Sequence, residues 1–216
     1  MKRFVLFLLV LGIGASLFAQ VQLPEHRFAV GNWRLADDRL YQNDATAGLA
    51  KANILIPQSG PMIYEFNVRY EGGAEDGHGG FGLHIFADDI YHGASWGSGI
   101  SYLLWLNYDE SPVFSSIPRG LSAQVYRSYS SAEMDLVASV SLNEYYDLLT
   151  EENLSEAIPF RIWADGSTGE IRVYDPTDPN MEAYYYFFVD RKDLPLKGDW
   201  LSLRTNGIKL SFGMGL

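Results

Sequence analysis

The chain has 216 residues, enough for one sizeable core, and no cysteine, which excludes disulfides, thiol nucleophiles and thiolate metal sites together. Lys and Arg number 16 against 27 Asp and Glu, giving a formal net charge of −11. With no basic run to neutralise phosphates, nucleic acid is excluded as a partner class.

The N-terminus reads as a targeting segment, separate from the fold. Lys2 and Arg3 precede an apolar run from Phe4 to Leu17, and the stretch ends Ser16-Leu17-Phe18-Ala19-Gln20. A basic start, a hydrophobic stretch and small residues before a break form a secretory signal peptide. The run falls short of the roughly 20 apolar residues that span a bilayer. The expectation is a signal peptide over residues 1–19 and a single exported domain over 20–216, periplasmic or extracellular in a bacterial envelope.

Beyond Gln20 the dominant pattern is alternation with a period of two, the mark of strands with one buried face. Met62, Tyr64, Phe66, Val68 and Tyr70 fall on one side of a strand, with Ile63, Glu65, Asn67, Arg69 and Glu71 on the other. Further strands are expected at Phe81–Ala87, Ile100–Tyr108, Gly120–Ser128, Met134–Leu142 and Pro159–Ala164. Others follow at Glu170–Tyr174, Ala183–Val189, Trp200–Arg204 and Ile208–Met214. Asp165-Gly166-Ser167-Thr168-Gly169 has hairpin-turn chemistry. Ser141-Leu142-Asn143-Glu144 has capping-box spacing, and Tyr145, Leu148 and Leu149 continue it as one short helix through about Glu152. The expected fold is an all-β, two-sheet antiparallel jelly-roll sandwich with that one helix. The final strand, alternating through Phe212 and Met214 to Leu216, also fits the closing strand of an outer-membrane β-barrel.

The order of the pieces adds a resemblance. Trp33 and Asp38-Arg39-Leu40-Tyr41-Gln42 come first, then Ile54-Leu55-Ile56. Near the end stand Arg161-Ile162-Trp163-Ala164, a turn, and Ile171-Arg172-Val173-Tyr174. Gly198-Asp199-Trp200-Leu201-Ser202-Leu203-Arg204-Thr205-Asn206-Gly207 and Lys209-Leu210-Ser211-Phe212 close the chain. This succession resembles the concanavalin A-like lectin/glucanase superfamily, especially its laminin-G-like and 3-keto-disaccharide-hydrolase-like members. The resemblance implies a jelly roll and a glycan as the expected ligand class.

Three sets of residues carry candidate chemistry. Glu133-Met134-Asp135-Leu136-Val137-Ala138 resembles the catalytic strand of family-16 glycoside hydrolases, which would make Glu133 the nucleophile and Asp135 its helper. Retaining hydrolysis needs a second carboxyl group as acid/base. That role falls on Ala138, which has no proton to give, and the plainer reading is two acids at a strand entrance. Asp76, Asp88 and Asp89 lie in loops near His78, His84 and His92. Their oxygens suit a structural calcium better than a transition metal, though no fixed ligand spacing is present and no cofactor is required. Aromatic and amide side chains make the third set. Trp105 and Asn107 alternate with Tyr102, Leu104 and Leu106, and Gln124 and Tyr126 with Leu121, Ala123 and Val125. On a concave sheet face, with Trp96 on a glycine-rich loop at its rim, these five would stack on a sugar ring and fix its edges.

The reading is therefore a non-catalytic binding or structural jelly roll whose partner is a glycan or an envelope protein. The alternatives are a glycoside-active enzyme and an envelope interaction protein or small barrel. The exported protein is expected to begin at Gln20, which N-terminal sequencing of secreted material checks.

Overall fold

A computed structural model describes residues 24–142, 157–174, 180 and 183–214. In chain order the strands are β1 (His26–Val30), β2 (Trp33–Ala36), β3 (Arg39–Gln42), β4 (Ala50–Ser59) and β5 (Pro61–Gly73). Next come β6 (His78–Ala87), β7 (Ser101–Asp109), β8 (Gly120–Ser128), β9 (Met134–Ser141) and β10 (Ile158–Asp165). The last are β11 (Glu170–Tyr174), β12 (Ala183–Phe188), β13 (Lys197–Asn206) and β14 (Ile208–Met214). They form two seven-stranded antiparallel sheets, ordered β1-β4-β13-β6-β7-β8-β9 and β12-β11-β10-β5-β14-β3-β2. This is the jelly-roll sandwich that the alternation predicts. The sheets end in separate edge strands, so the outer-membrane barrel is not the fold. The segment expected to be helical lies outside the described residues beyond Leu142. Among those described, helical geometry is confined to a 3₁₀ turn at Arg191–Asp193.

Register explains why the alternation works. On the inner face of the first sheet, Ala52, Leu203, Leu83, Leu104, Val125 and Ala138 form one continuous row across six strands. Val68 on β5, Ile162 on β10, Ile171 on β11 and Leu210 on β14 are buried from the second sheet. Phe81 joins the two layers, edge-on to Phe160 at 5.7 Å and to Phe212 at 5.8 Å between ring centroids. The β10–β11 hairpin closes as its residues require. Asp165 accepts from the Ser167 amide through its carboxylate, and Gly169 takes the left-handed conformation, φ 77°, that a side chain would resist.

One irregularity changes the faces of β9. Leu136 stands opposite Tyr126 and Ala138 opposite Val125, leaving Val137 as an extra residue between them. Such a bulge moves every later side chain to the other face. Ser139 and Ser141 therefore share the outer face with Leu136, while Asp135 and Ala138 lie on the inner side, opposite Arg127 and Val125.

Because Phe81 holds both layers together, Phe81→Ala should cost about 3–5 kcal/mol of stability. Urea denaturation should show a lower midpoint at unchanged slope.

Candidate functional site

The outer face of the first sheet is built from three cross-strand rows. The central row runs Lys51, Arg204, Gly82, Trp105, Gln124, Ser139. Beside it on one flank lies Asn53, Ser202, His84, Leu103, Tyr126, Leu136. On the other flank are Asn206, Gly80, Asn107, Ser122 and Ser141. Glycine on β6 is required by what lies over it. Side chains at Gly80 and Gly82 would meet the Trp105 ring at 2.6 and 2.9 Å, so the indole is laid across the β6 backbone.

This face is largely covered by the loop of residues 88–100. At the loop's neck, Asp88 accepts from the Ile100 amide through its carboxylate at 2.7 Å, and the Ser98 hydroxyl donates to the Asp89 carbonyl at 3.3 Å. Further along, the Trp96 carbonyl lies 2.8 Å from His84 Nε2, and Lys51 Nζ donates to the Ser95 carbonyl at 3.3 Å. His84 Nδ1 is 2.8 Å from the Ser101 hydroxyl, which donates to the Ser98 carbonyl at the same distance. Gly97 passes against the Ser130 and Ser131 backbone so closely that a side chain there would collide. The loop is thus tied down by buried groups of the sheet itself.

The five aromatic and amide residues meet as one cluster. Trp96 stands edge-on to Trp105, centroids 5.2 Å apart and planes at 89°. Trp105 is only 4% exposed and Trp96 38%, so the buried indole forms a floor and the loop indole offers an open face. Trp105 Nε1 donates to Asn107 Oδ1 at 3.0 Å. Gln124 is buried and works indirectly: it accepts from the Tyr126 hydroxyl at 2.7 Å and donates to Ser122 at 3.1 Å, fixing both. A groove of about 330 Å³ runs over this cluster, lined by Trp96, Leu103, Trp105, Asn107, Tyr126, Met134 and Asn206. Met134 and Asn206 escape notice in the sequence, because only strand pairing brings them here.

The acidic candidates lie elsewhere. Asp135 faces the inner side, where it accepts from the Tyr129 hydroxyl at 2.9 Å, and Glu133 is exposed just before β9. Neither lines the groove. Asp88 and Asp89 sit together at the loop neck, but Asp76 stands beyond the far end of β6, roughly ten residues or 30 Å away. Asp76 and Asp89, like Asp88, accept from nearby backbone amides, of His78 and Ile90 respectively. Among the described residues no three His, Asp or Glu side chains cluster as a metal site would require.

Sequence reasoning missed the cations. Lys51 and Arg204 are fully buried and directly opposite one another, and among the described residues no carboxylate is paired to either. Burial, and then the Arg204 charge, push the Lys51 ammonium down to about 7. Burial likewise holds His84 well below its ordinary value, with Arg204 and Lys51 adding to the effect.

No protein-family model matches the chain, and no curated protein matches it in sequence. Solved structures match it in shape. A legume lectin-like domain from Entamoeba histolytica superposes with a TM-score of 0.55 at 11% identity, covering 92% of this chain and 95% of that one. A mutant of the Emp46p carbohydrate recognition domain gives 0.51 at 12% identity over 88% of each chain. The CBM2 module of the evolved Dit of Lactobacillus casei BL23 phage J-1 gives 0.50 at 13%, over 85% and 76%. This chain has the concanavalin A-like fold. At these identities the likeness lies in the architecture, and the residues of the groove are this chain's own.

The buried Lys51 gives the fold a pH dependence of definite sign. In the unfolded chain it titrates near 10.5 and in the folded one near 7, so between those values the unfolded state binds more protons. Stability should therefore rise with pH across that window, with His84 contributing the same sign below its unfolded value of 6.5. Besides each other, the groups facing Lys51 are Arg204, Tyr91 and Ser95. Thermal melts in chloride buffer at pH 7 and pH 9 should show the rise, and Lys51→Met should flatten it.

Proposed function

We propose that the chain is an exported, non-catalytic glycan-binding module of the bacterial envelope. The observation that carries this is the half-open Trp96 indole standing edge-on to the buried Trp105 at the mouth of a small groove. An aromatic face covers the apolar C–H side of a sugar ring while amides and hydroxyls fix its polar edge. Asn107, Asn206 and Tyr126 supply those polar groups. The groove suits one or two sugar residues, held by stacking and hydrogen bonds with no cofactor required. The non-catalytic part rests on the carboxylates: Glu133 and Asp135 lie away from the groove, and among the described residues no acid pair lines it. The basic and apolar N-terminal segment supports export. That lectin-like domains share the fold is consistent with the reading.

A second reading, an envelope protein as partner, is favoured by the outer face of the other sheet. There Tyr186, Phe188 and Ile63 are exposed, and the Arg172 guanidinium lies 5.6 Å over the Trp163 ring.

A glycan array probed with the processed chain should give hits. Trp96→Ala should weaken the best of them by about 1–3 kcal/mol, the scale for one covered aromatic face, in a protein that still melts cooperatively. An array without hits, with capture of an envelope protein lost in Tyr186→Ala, would favour the second reading.

A further inference from the structure

Two buried cations facing each other across neighbouring strands are unfavourable as they stand, since like charges repel and neither has water to solvate it. Arg204 is fully buried, and of its three nitrogens only Nη1 has a partner, the Ser202 hydroxyl. Nε and Nη2 are buried without any. The Ser202 hydroxyl in turn donates to Asn53 Oδ1, leaving Asn53 Nδ2 a third buried, unpartnered donor beside the same hydroxyl. Lys51, opposite Arg204, lies 5.6 Å over the Tyr91 ring and donates to the Ser95 carbonyl and hydroxyl at 3.3 and 3.4 Å, long for a charged donor. The neighbourhood therefore holds several donors and two cationic side chains, with no carboxylate among the described ion pairs.

We propose that Arg204, Lys51 and Asn53 form a receptor for a carboxylate beneath the loop of residues 88–100. A guanidinium with Nε and Nη2 both open presents the side-on fork that matches two carboxylate oxygens. Asn53 Nδ2 and Lys51 Nζ are the flanking donors, and the added charge offsets the repulsion between the cations. The site and the groove share a row: the Trp105 indole lies over Gly82, whose other neighbour is Arg204. The ligand is then an acidic sugar, its ring against Trp96 and its carboxylate under the loop, which must lift to admit it. This identification of the ligand rests on the glycan reading; the carboxylate receptor itself does not.

The processed chain is tested by thermal melts and calorimetry at constant ionic strength, with sodium acetate, glucuronate, a short uronate oligosaccharide and its neutral counterpart, against sodium chloride. Acetate and glucuronate should raise the melting temperature saturably, and the uronate oligosaccharide should bind at least tenfold more tightly than the neutral one. Arg204→Met should still fold, because it removes an unpaired buried charge, and should lose both effects while keeping any neutral-sugar affinity. Lys51→Met should weaken both. A response to acetate with no sugar binding upholds the carboxylate receptor and removes the glycan reading. No response to any carboxylate, or one that persists unchanged in Arg204→Met, overturns the proposal whatever neutral sugars do.

Discussion

Where β4, β13 and β6 meet, the first sheet is buried on both faces, and the rest of the structure follows from that. An antiparallel sheet ordinarily packs one face on the core and leaves the other in water. Here the loop of residues 88–100 lies over the outer face, so that Lys51, His84, Gln124 and Arg204 are as buried as the leucines behind them. Polar side chains so placed must find partners within the protein, because an unsatisfied buried donor costs far more than a made hydrogen bond gains. Most of them do. His84 holds the Trp96 carbonyl, Gln124 holds Tyr126, and Ser128 receives the Ser98 amide.

The loop is therefore held by the functional side chains themselves. Its carbonyls at Ser95 and Trp96 serve as acceptors for Lys51 and His84, and its indole closes on Trp105. Coupling follows directly: whatever displaces the loop carbonyls also moves Trp96, the aromatic face nearest solvent. The glycines of β6 complete the arrangement from below. With Gly80 and Gly82 lacking side chains, Trp105 can lie flat across one strand and approach the cationic end of its row. The second sheet has no such cover over its outer face at Tyr186 and Phe188. That difference separates the two readings of how the protein meets its partners.

Elsewhere charge is placed conventionally. Asp193, in the 3₁₀ turn, accepts from the Tyr102 hydroxyl at 2.5 Å and pairs with Arg127, joining the β12–β13 connection to the first sheet. Arg161 pairs with Glu65 and Arg172 with Glu170 on the outer face of the second sheet. Among the described arginines, Arg204 stands apart in being fully buried with two nitrogens unpartnered.

The sequence by itself determined most of the strands and the sandwich, though not β1 or most of β4, because the period of two in segments such as Met62–Tyr70 and Tyr102–Leu106 reports directly which side chains must leave water. It also set Trp105, Asn107, Gln124 and Tyr126 on a common face and Trp96 on a loop, since alternation is a local property. Tertiary structure alone decided what that face became. Whether Trp105 is open or covered depends on where the loop of residues 88–100 folds, and nothing local to Trp105 encodes that. Pairing with Arg127 of β8 set Asp135 inward, and a bulge at Val137, which depends on the same pairing, shifted the later β9 side chains. Lys51 and Arg204 are 153 positions apart, each unremarked on an ordinary-looking strand. Only the register of β4 with β13 sets them opposite one another, because cross-strand neighbours are fixed by hydrogen bonding between distant segments and leave no spacing to read along the chain.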